Sequence, residues 1–267
     1  MARKRWGARV SVLRVENLTK QFGGLVALSE FNVELEKGAL VGLIGPNGSG
    51  KTTAFNVMTG IYKPTGGRVQ LDGKDITGLR ADQITAQGIA RTFQNIRLFS
   101  QLTVLENVMV GHHLRLKTSP LIAGLGLPSY ARQEQVMYEE SLELLHVTGL
   151  DDVAHEKAGS LPYGRQRRAE IARALATEPQ LLLLDEPAAG MNPEETQALM
   201  DFIQEILKDF DLTIFLIEHQ MRLVMGICER MLVLNYGVTI ARGLPKEIQT
   251  DPSVIEAYLG VSAHANN

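Results

Sequence analysis

"ALVGLIGPNGSGKTTAFNVMT", residues 39–59, runs from an apolar segment through a glycine-rich loop into a helical pattern. Residues 39–44 have the length and apolarity of a buried strand, and the helix is expected from Lys51 to about Thr59. Between them Gly45, Pro46, Asn47, Gly48, Ser49, Gly50, Lys51, Thr52 and Thr53 match the pattern G-x-x-x-x-G-K-[ST]. Glycines let such a loop wrap closely enough for backbone N–H groups to surround phosphate oxygens. Lys51 then reaches the β- and γ-phosphates of a nucleotide, and the Thr52 hydroxyl ligands Mg²⁺. A glycine-rich strand-to-helix turn without a ligand is the plain alternative. Strand, loop, Lys-Thr pair and helix all in register favour the phosphate site.

Working outward, apolar runs and helical patterns alternate, as in an α/β fold with a mainly parallel sheet. Strands are expected at 11–15 and 30–36 in an opening antiparallel portion, with Leu35–Gly38 as a turn. "KPTGG" at 63–67 is another turn, leading into the strand "RVQLDG". Further strands are expected at 181–185, 212–217 and 230–235, with helices at about 193–208 and 219–226. Residues 103–148 have helical periodicity, interrupted by "SPLIAGLGLPS" at 119–129. Both flanks resume the sheet pattern, so this stretch reads as a helical subdomain inserted in the α/β core.

"LLLLDEP", residues 181–187, delivers Asp185 and Glu186 to the carboxyl end of a buried strand. That is the edge at which α/β sheets bind ligands. Asp185 suits an Mg²⁺ role through water, and Glu186 is placed to polarise an attacking water as general base. "LIEHQ" ends another apolar strand with His219, which is either a structural histidine or a third group at the phosphate edge. Gln94, in "RTFQN" at 91–95, is expected to end a short strand just before the helical insertion. "SLPYGRQRRAEIARAL", residues 160–175, is a turn feeding a helix with a run of arginines. It is either a solvated basic face or a helix N-terminus aimed at a phosphate.

The 267 residues suffice for one large α/β domain and a sizeable core, and the net charge of −3 supplies no global field to hold nucleic acid. Cys228 is the single cysteine, which excludes an internal disulfide and favours a reducing, cytosolic compartment. The start, "MARKRWGARVSVL", lacks the apolar core of a signal peptide and reads as a loose basic arm over residues 1–10. No apolar run approaches the roughly 20 residues of a membrane helix.

In order and spacing, Gly45–Thr53, Gln94, the 160–168 segment, Asp185–Glu186 and His219 resemble the nucleotide-binding subunit of ATP-binding cassette (ABC) transporters. The resemblance spans about residues 11–260 and leaves a tail at 261–267. It implies a P-loop NTPase fold: a RecA-like core, an antiparallel β subdomain and an inserted α-helical subdomain at about 100–177. It also implies roles. Phe22 in "KQFGG" matches the aromatic that stacks on adenine. Gln94 matches the glutamine that contacts Mg²⁺ and the attacking water and links the site to the helical subdomain, and His219 the histidine on the γ-phosphate. Leu161, Pro162, Tyr163, Gly164 and Arg165 stand at the signature motif, usually Leu-Ser-Gly-Gly-Gln, which binds the ATP of the opposite subunit. Here Pro162 removes a hydroxyl and a backbone donor, Tyr163 replaces a glycine and Arg165 replaces glutamine. Asn192, in "AGMN" at 189–192, stands where the family's inter-subunit loop carries aspartate.

"LPYG", "RTFQNIRLF", "DEPAAGMNP", "LIEHQMRLVMGIC" and "IEAYLG" resemble the branch that serves importers of branched-chain and other hydrophobic amino acids. The implied activity is ATP hydrolysis with Mg²⁺, coupled to transport. The implied partners are a second ATPase subunit, identical or paralogous, the transmembrane permease subunits and, indirectly, a substrate-binding protein, with no nucleic acid. The implied location is the cytoplasmic face of the inner (plasma) membrane. Ile96, Leu98 and Phe99 either line a groove for a short permease helix or belong to the core. A lipopolysaccharide-export ATPase, a soluble non-transport cassette and a plain P-loop kinase are the rival readings.

Overall fold

The computed structural model describes residues 11–113 and 128–264; the basic arm at 1–10 and most of the 119–129 interruption lie outside the described residues. The chain opens with β1 (Ser11–Phe22) and β2 (Leu25–Glu36), a hairpin turning at Gly23–Gly24. Next come β3 (Leu40–Ile44), α1 (Lys51–Met58), β4 (Gly66–Leu71), β5 (Lys74–Asp75), α2 (Ala81–Ala86) and β6 (Ile89–Arg91). The helical stretch holds α3 (Val104–His112), α4 (Pro128–Val147) and α5 (Tyr163–Leu175). The order then runs β7 (Leu181–Asp185), α6 (Pro193–Asp209), β8 (Thr213–Ile217), α7 (Met221–Ile227), β9 (Arg230–Asn235), β10 (Val238–Gly243), α8 (Pro245–Gln249) and α9 (Pro252–His264).

The hairpin strands are much longer than the expected 11–15 and 30–36. Register shifts between Val15 and Leu18, and again toward Lys20 and Gln21, mark bulges in β1. Asn17 and Glu30 take positive φ there, 48° and 46°. A bulge interrupts the period-2 alternation by which a strand is recognised, so the outer halves of both strands read as loop. Gln94 also differs from expectation. β6 ends at Arg91, Thr92 N–H makes one further bond to Leu183 O (3.0 Å), and Gln94 stands in the loop beyond.

Two sheets organise the molecule. One is antiparallel, in the order β2-β1-β4-β5; the other runs β10-β9-β3-β8-β7-β6, parallel from β9 to β6. Both faces of the six-stranded sheet are covered, which is why its strands read as continuous apolar runs. Along β7, Leu181 and Leu183 face a core shared with β1, β2, α1 and Ile84 of α2. Leu182 and Leu184 face the other core, built with α3, α5, α6 and α7. The alternation continues in β8, with Phe215 and Ile217 on the first side and Ile214 and Leu216 on the second. β3, β7 and β8, neighbours in the sheet, therefore deliver Gly45, Glu186 and Glu218–His219 to one carboxyl edge.

α3 starts at a capping box. The Thr103 hydroxyl accepts from Glu106 N–H (3.1 Å) and Glu106 Oε2 accepts from Thr103 N–H (2.7 Å). α6 is capped likewise: Asn192 Oδ1 accepts from Glu194 and Glu195 N–H, each at 2.9 Å, with Pro193 at the first helical position. Asn192 thus acts here as a helix cap.

Candidate functional site: a phosphate loop facing an acidic strand end

The loop after β3 is a cradle that side chains would fill. Gly45 has φ 151°, and a Cβ there would lie 2.1 Å from Leu234 O; Gly50 has φ 105°, and a Cβ would lie 2.7 Å from Ala27 O. Only glycine fits either position. Pro46, Asn47 and Gly48 complete the outer turn, and Ser49 Oγ is buried without a protein partner. Lys51, 5% exposed, opens α1 and donates from Nζ to Gly45 O (2.8 Å) and Pro46 O (2.9 Å). Burial pushes its pKa down, opposed by the negative charges of Glu186 and Asp185, so the loop and the acidic pair share one electrostatic site. Thr52 is exposed on the first turn of α1, and Thr53 is half-buried.

Across from the loop, Glu186 follows the last residue of β7 with φ 45°, a left-handed conformation unusual for a side chain of its size. Such a residue carries strain of about 1–2 kcal/mol and is retained where surroundings over-determine it. Here its N–H bonds Ile217 O (2.9 Å), while its Oε2 accepts from Gln94 Nε2 (2.9 Å) and lies 3.5 Å from His219 Nδ1. Three of the residues singled out for catalysis thus meet at one carboxylate oxygen. Asp185, 3% exposed, gives Oδ2 to an ion pair with Arg91 Nη2 at 2.7 Å.

Two members of this site were not recognised from sequence. Arg91 opens the quoted "RTFQN" segment, and besides Asp185 it donates to Asn56 Oδ1 (2.7 Å) and Thr59 Oγ1 (3.1 Å). Glu218, inside the quoted "LIEHQ", is fully buried. Its carboxylate accepts Ala188 N–H (3.2 Å) on one oxygen and His219 N–H (3.1 Å) and Gln220 N–H (3.3 Å) on the other. It ties the loop carrying Glu186 to the loop carrying His219. Burial raises its pKa despite those bonds. A charged residue directly before His219 was the available signal.

The remaining candidates lie elsewhere. Among the described residues no hydrogen bond or ion pair joins Leu161–Arg165 to Gly45–Thr53. Leu161 is buried, Pro162 precedes α5 as its N-cap, and no side chain caps the first turn, which has no acidic residue. The N–H groups of that turn therefore remain donors at the positive end of a 13-residue helix. Gly164 has open space around it. The arginine run does not form a single basic face. Arg165 pairs with Asp152 (2.6 Å), Arg168 lies over Phe202 (4.9 Å), Arg173 lies over Phe99 (5.7 Å), and Arg167 is fully buried. Phe22, 42% exposed, ends β1 edge-on to Tyr62 (5.1 Å), with Lys20 Nζ 4.8 Å from its ring centre.

Residues 28–189 match the family model for ABC transporters, and residues 238–264 match that for branched-chain amino acid ATP-binding cassette transporters. The high-affinity branched-chain amino acid transport ATP-binding protein BraF of Pseudomonas aeruginosa is 45% identical over 249 residues, 93% of this chain and 98% of BraF. The ADP conformation of MJ1267, an ATP-binding cassette of an ABC transporter, superposes with a TM-score of 0.82 at 35% identity, covering 94% of this chain and 99% of that one. A dimeric post-hydrolysis state of the cassette MJ0796, bound to ADP and Pi, superposes at 0.72 with 26% identity, covering 87% and 98%. With the phosphate loop, the acidic strand end and the fold all in agreement, the chain belongs to the ABC transporter family, as its ATP-binding, ATP-hydrolysing cassette.

Proposed function

We propose that this cassette energises an importer of branched-chain or related hydrophobic amino acids from the cytoplasmic face of the plasma membrane. The convergence of Gln94 and His219 on Glu186 Oε2, beside Lys51, carries the hydrolytic half of this reading. BraF, named for branched-chain amino acid transport, and the match of residues 238–264 support the importer half. No helix among the described residues is long and apolar enough to cross a membrane; in this reading permease subunits supply the membrane passage. In this reading residues 11–260 are the ATPase domain, with the helical subdomain at about 100–177.

The buried, unpartnered Ser49 Oγ and the glycine cradle fit a phosphate chain, and Lys51 supplies its positive charge. Phe22 offers a π face to adenine. Thr52, Asp185 and Gln94 are the residues that would hold Mg²⁺. Held there, Mg²⁺ would neutralise charge on the β- and γ-phosphates. Glu186 takes the proton of the attacking water, with Gln94 fixing the carboxylate and His219 facing the γ-phosphate. Leu161–Arg165 of a second subunit supply the other wall through the uncapped start of α5.

Purification of the chain from native membranes tests the importer reading. Recovery with integral permease chains and a second cassette, and ATP-dependent uptake of leucine, isoleucine or valine by the reconstituted complex, are expected. Recovery with RNA or ribosomes overturns it in favour of a soluble cassette.

A further inference from the structure

Arg167 and Glu170 are the two charges buried most deeply in α5, with side chains 0% and 1% exposed and an ion pair of 2.6 Å. Charges so far from water persist only when paired and hydrogen-bonded. Their remaining bonds leave the helix for one short stretch of main chain. Arg167 Nη1 donates to Phe93 O (2.6 Å) and Nη2 to Gln94 O (2.7 Å), while Glu170 Oε1 accepts from Arg97 N–H (3.1 Å). Arg167 Nη2 also reaches the Tyr163 hydroxyl at 3.2 Å, back at the first turn of α5. The ring of Phe93 is flanked by Arg91 (4.9 Å) and Arg97 (4.1 Å). The main-chain bonds fix the position of residues 93–97 whatever their side chains do.

We propose that Arg167 and Glu170 form a clamp that makes the loop carrying Gln94 move with the start of α5, so that a phosphate engaged by a second subunit's nucleotide at Leu161–Arg165 is felt at Glu186. The route is short: α5 holds the Gln94 carbonyl, and the Gln94 amide holds Glu186 Oε2 at 2.9 Å. Both are positioning residues; neither touches the nucleotide. The clamp rests on the reading that Leu161–Arg165 faces the nucleotide of a second subunit. It assigns a task to the arginine that the phosphate-facing reading of this helix leaves without one.

The test uses the full chain in a Glu186→Gln background, where ATP-bound dimers should accumulate, with amide exchange of residues 93–97 as the reporter. Arg167→Met with Glu170→Leu replaces the pair by apolar side chains, a change that buried ion pairs commonly tolerate in folding. Arg167→Lys keeps the charge but loses the fork that reaches two carbonyls. In the parent, ATP-driven dimerisation should protect residues 93–97. In the double variant these amides should exchange about tenfold faster without ATP and gain no protection on dimerisation, a coupling loss of ordinary size. With Glu186 restored, kcat should fall about tenfold while KM stays within about threefold, since ATP affinity belongs to Gly45–Thr53. Arg167→Lys should fall between, and it decides the matter if the double variant does not fold. Protection of residues 93–97 equal to the parent's, or an unchanged kcat, overturns the clamp. A parent that fails to dimerise with ATP overturns instead the reading of Leu161–Arg165, and the ATP-free exchange rates still judge the clamp.

Discussion

Glu186 combines a left-handed backbone with a carboxylate held between Gln94 and His219. A general base contributes typically 10²–10⁴-fold. Glu186→Gln should therefore keep ATP binding near that of the parent, lose turnover by that factor and accumulate as an ATP-bound dimer; hydrolysis within a few-fold of the parent would remove Glu186 from the role. Glu218 is a different kind of residue. Its pKa is raised, chiefly by burial, so at neutral pH its charge is a cost to the folded state. As pH falls through that raised value toward the ordinary 4.5, the folded state binds more protons than the unfolded one, and stability gains. Relative to Glu218→Gln, which cannot titrate, the parent should thus gain stability on acidification in that window. Denaturant titrations at stepped pH check the sign, and a difference that grows with rising pH would contradict it. Glu218→Gln should also slow turnover, because one of its two loops must then face an amide N–H instead of an acceptor.

At the scale of elements, the start of α5 is the test of how two cassettes meet. The first turn is uncapped and carries no acidic residue, and Gly164 has room for a side chain. An aspartate there should favour the isolated helix by about 0.3–1 kcal/mol through the helix dipole. The same carboxylate would oppose a phosphate arriving at that end. Gly164→Asp should consequently leave thermal stability and monomer ATP binding intact while abolishing ATP-driven dimerisation, as read by sedimentation or light scattering. Unchanged dimerisation would return this helix start to an ordinary solvent-exposed end. The hairpin of β1 and β2 shows where element-level reading from sequence stops. Its inner halves alternate cleanly and were legible, whereas the bulged outer halves break the alternation.

For the whole molecule the importer reading asks how a membrane partner is felt. Phe99 is 52% exposed, and the guanidinium of Arg173 in α5 lies 5.7 Å from its ring centre. Ile96 is half-buried and Leu98 packs against the core, so of the three residues singled out after Gln94 only Phe99 is offered fully to a partner. Phe99→Ala should cost less than about 1 kcal/mol of stability. In the assembled, substrate-loaded complex it should lower the stimulated ATPase rate while sparing ATP binding, because it removes apolar contact outside the nucleotide site. The isolated chain should hydrolyse ATP slowly, and faster at concentrations that favour dimers. Full activity without any membrane component would break this coupling.

Local sequence alone was enough to place the glycine-rich loop, the strand before it and the acidic pair at the carboxyl end of β7. Each is local chemistry: glycines that permit a tight wrap, a lysine at fixed spacing, an apolar run of strand length. The tertiary structure alone decided which distant groups meet. Arg91 reaches Asp185 across 94 positions because β6 lies beside β7 in parallel register, and strand order is absent from any local pattern. Gln94 reaches Glu186 across 92 positions from a loop whose place is held by main-chain bonds to α5. For the arginines of α5 the sequence left a solvated basic face and a phosphate-facing helix start both open, since it gives charge and period only. The tertiary structure sorted them into an exposed ion pair at Asp152, ring contacts at Phe202 and Phe99, and the Arg167 bonds to the Gln94 loop; Arg167 is the one fully buried, and a buried charge must take whatever partners the surrounding chain brings to it.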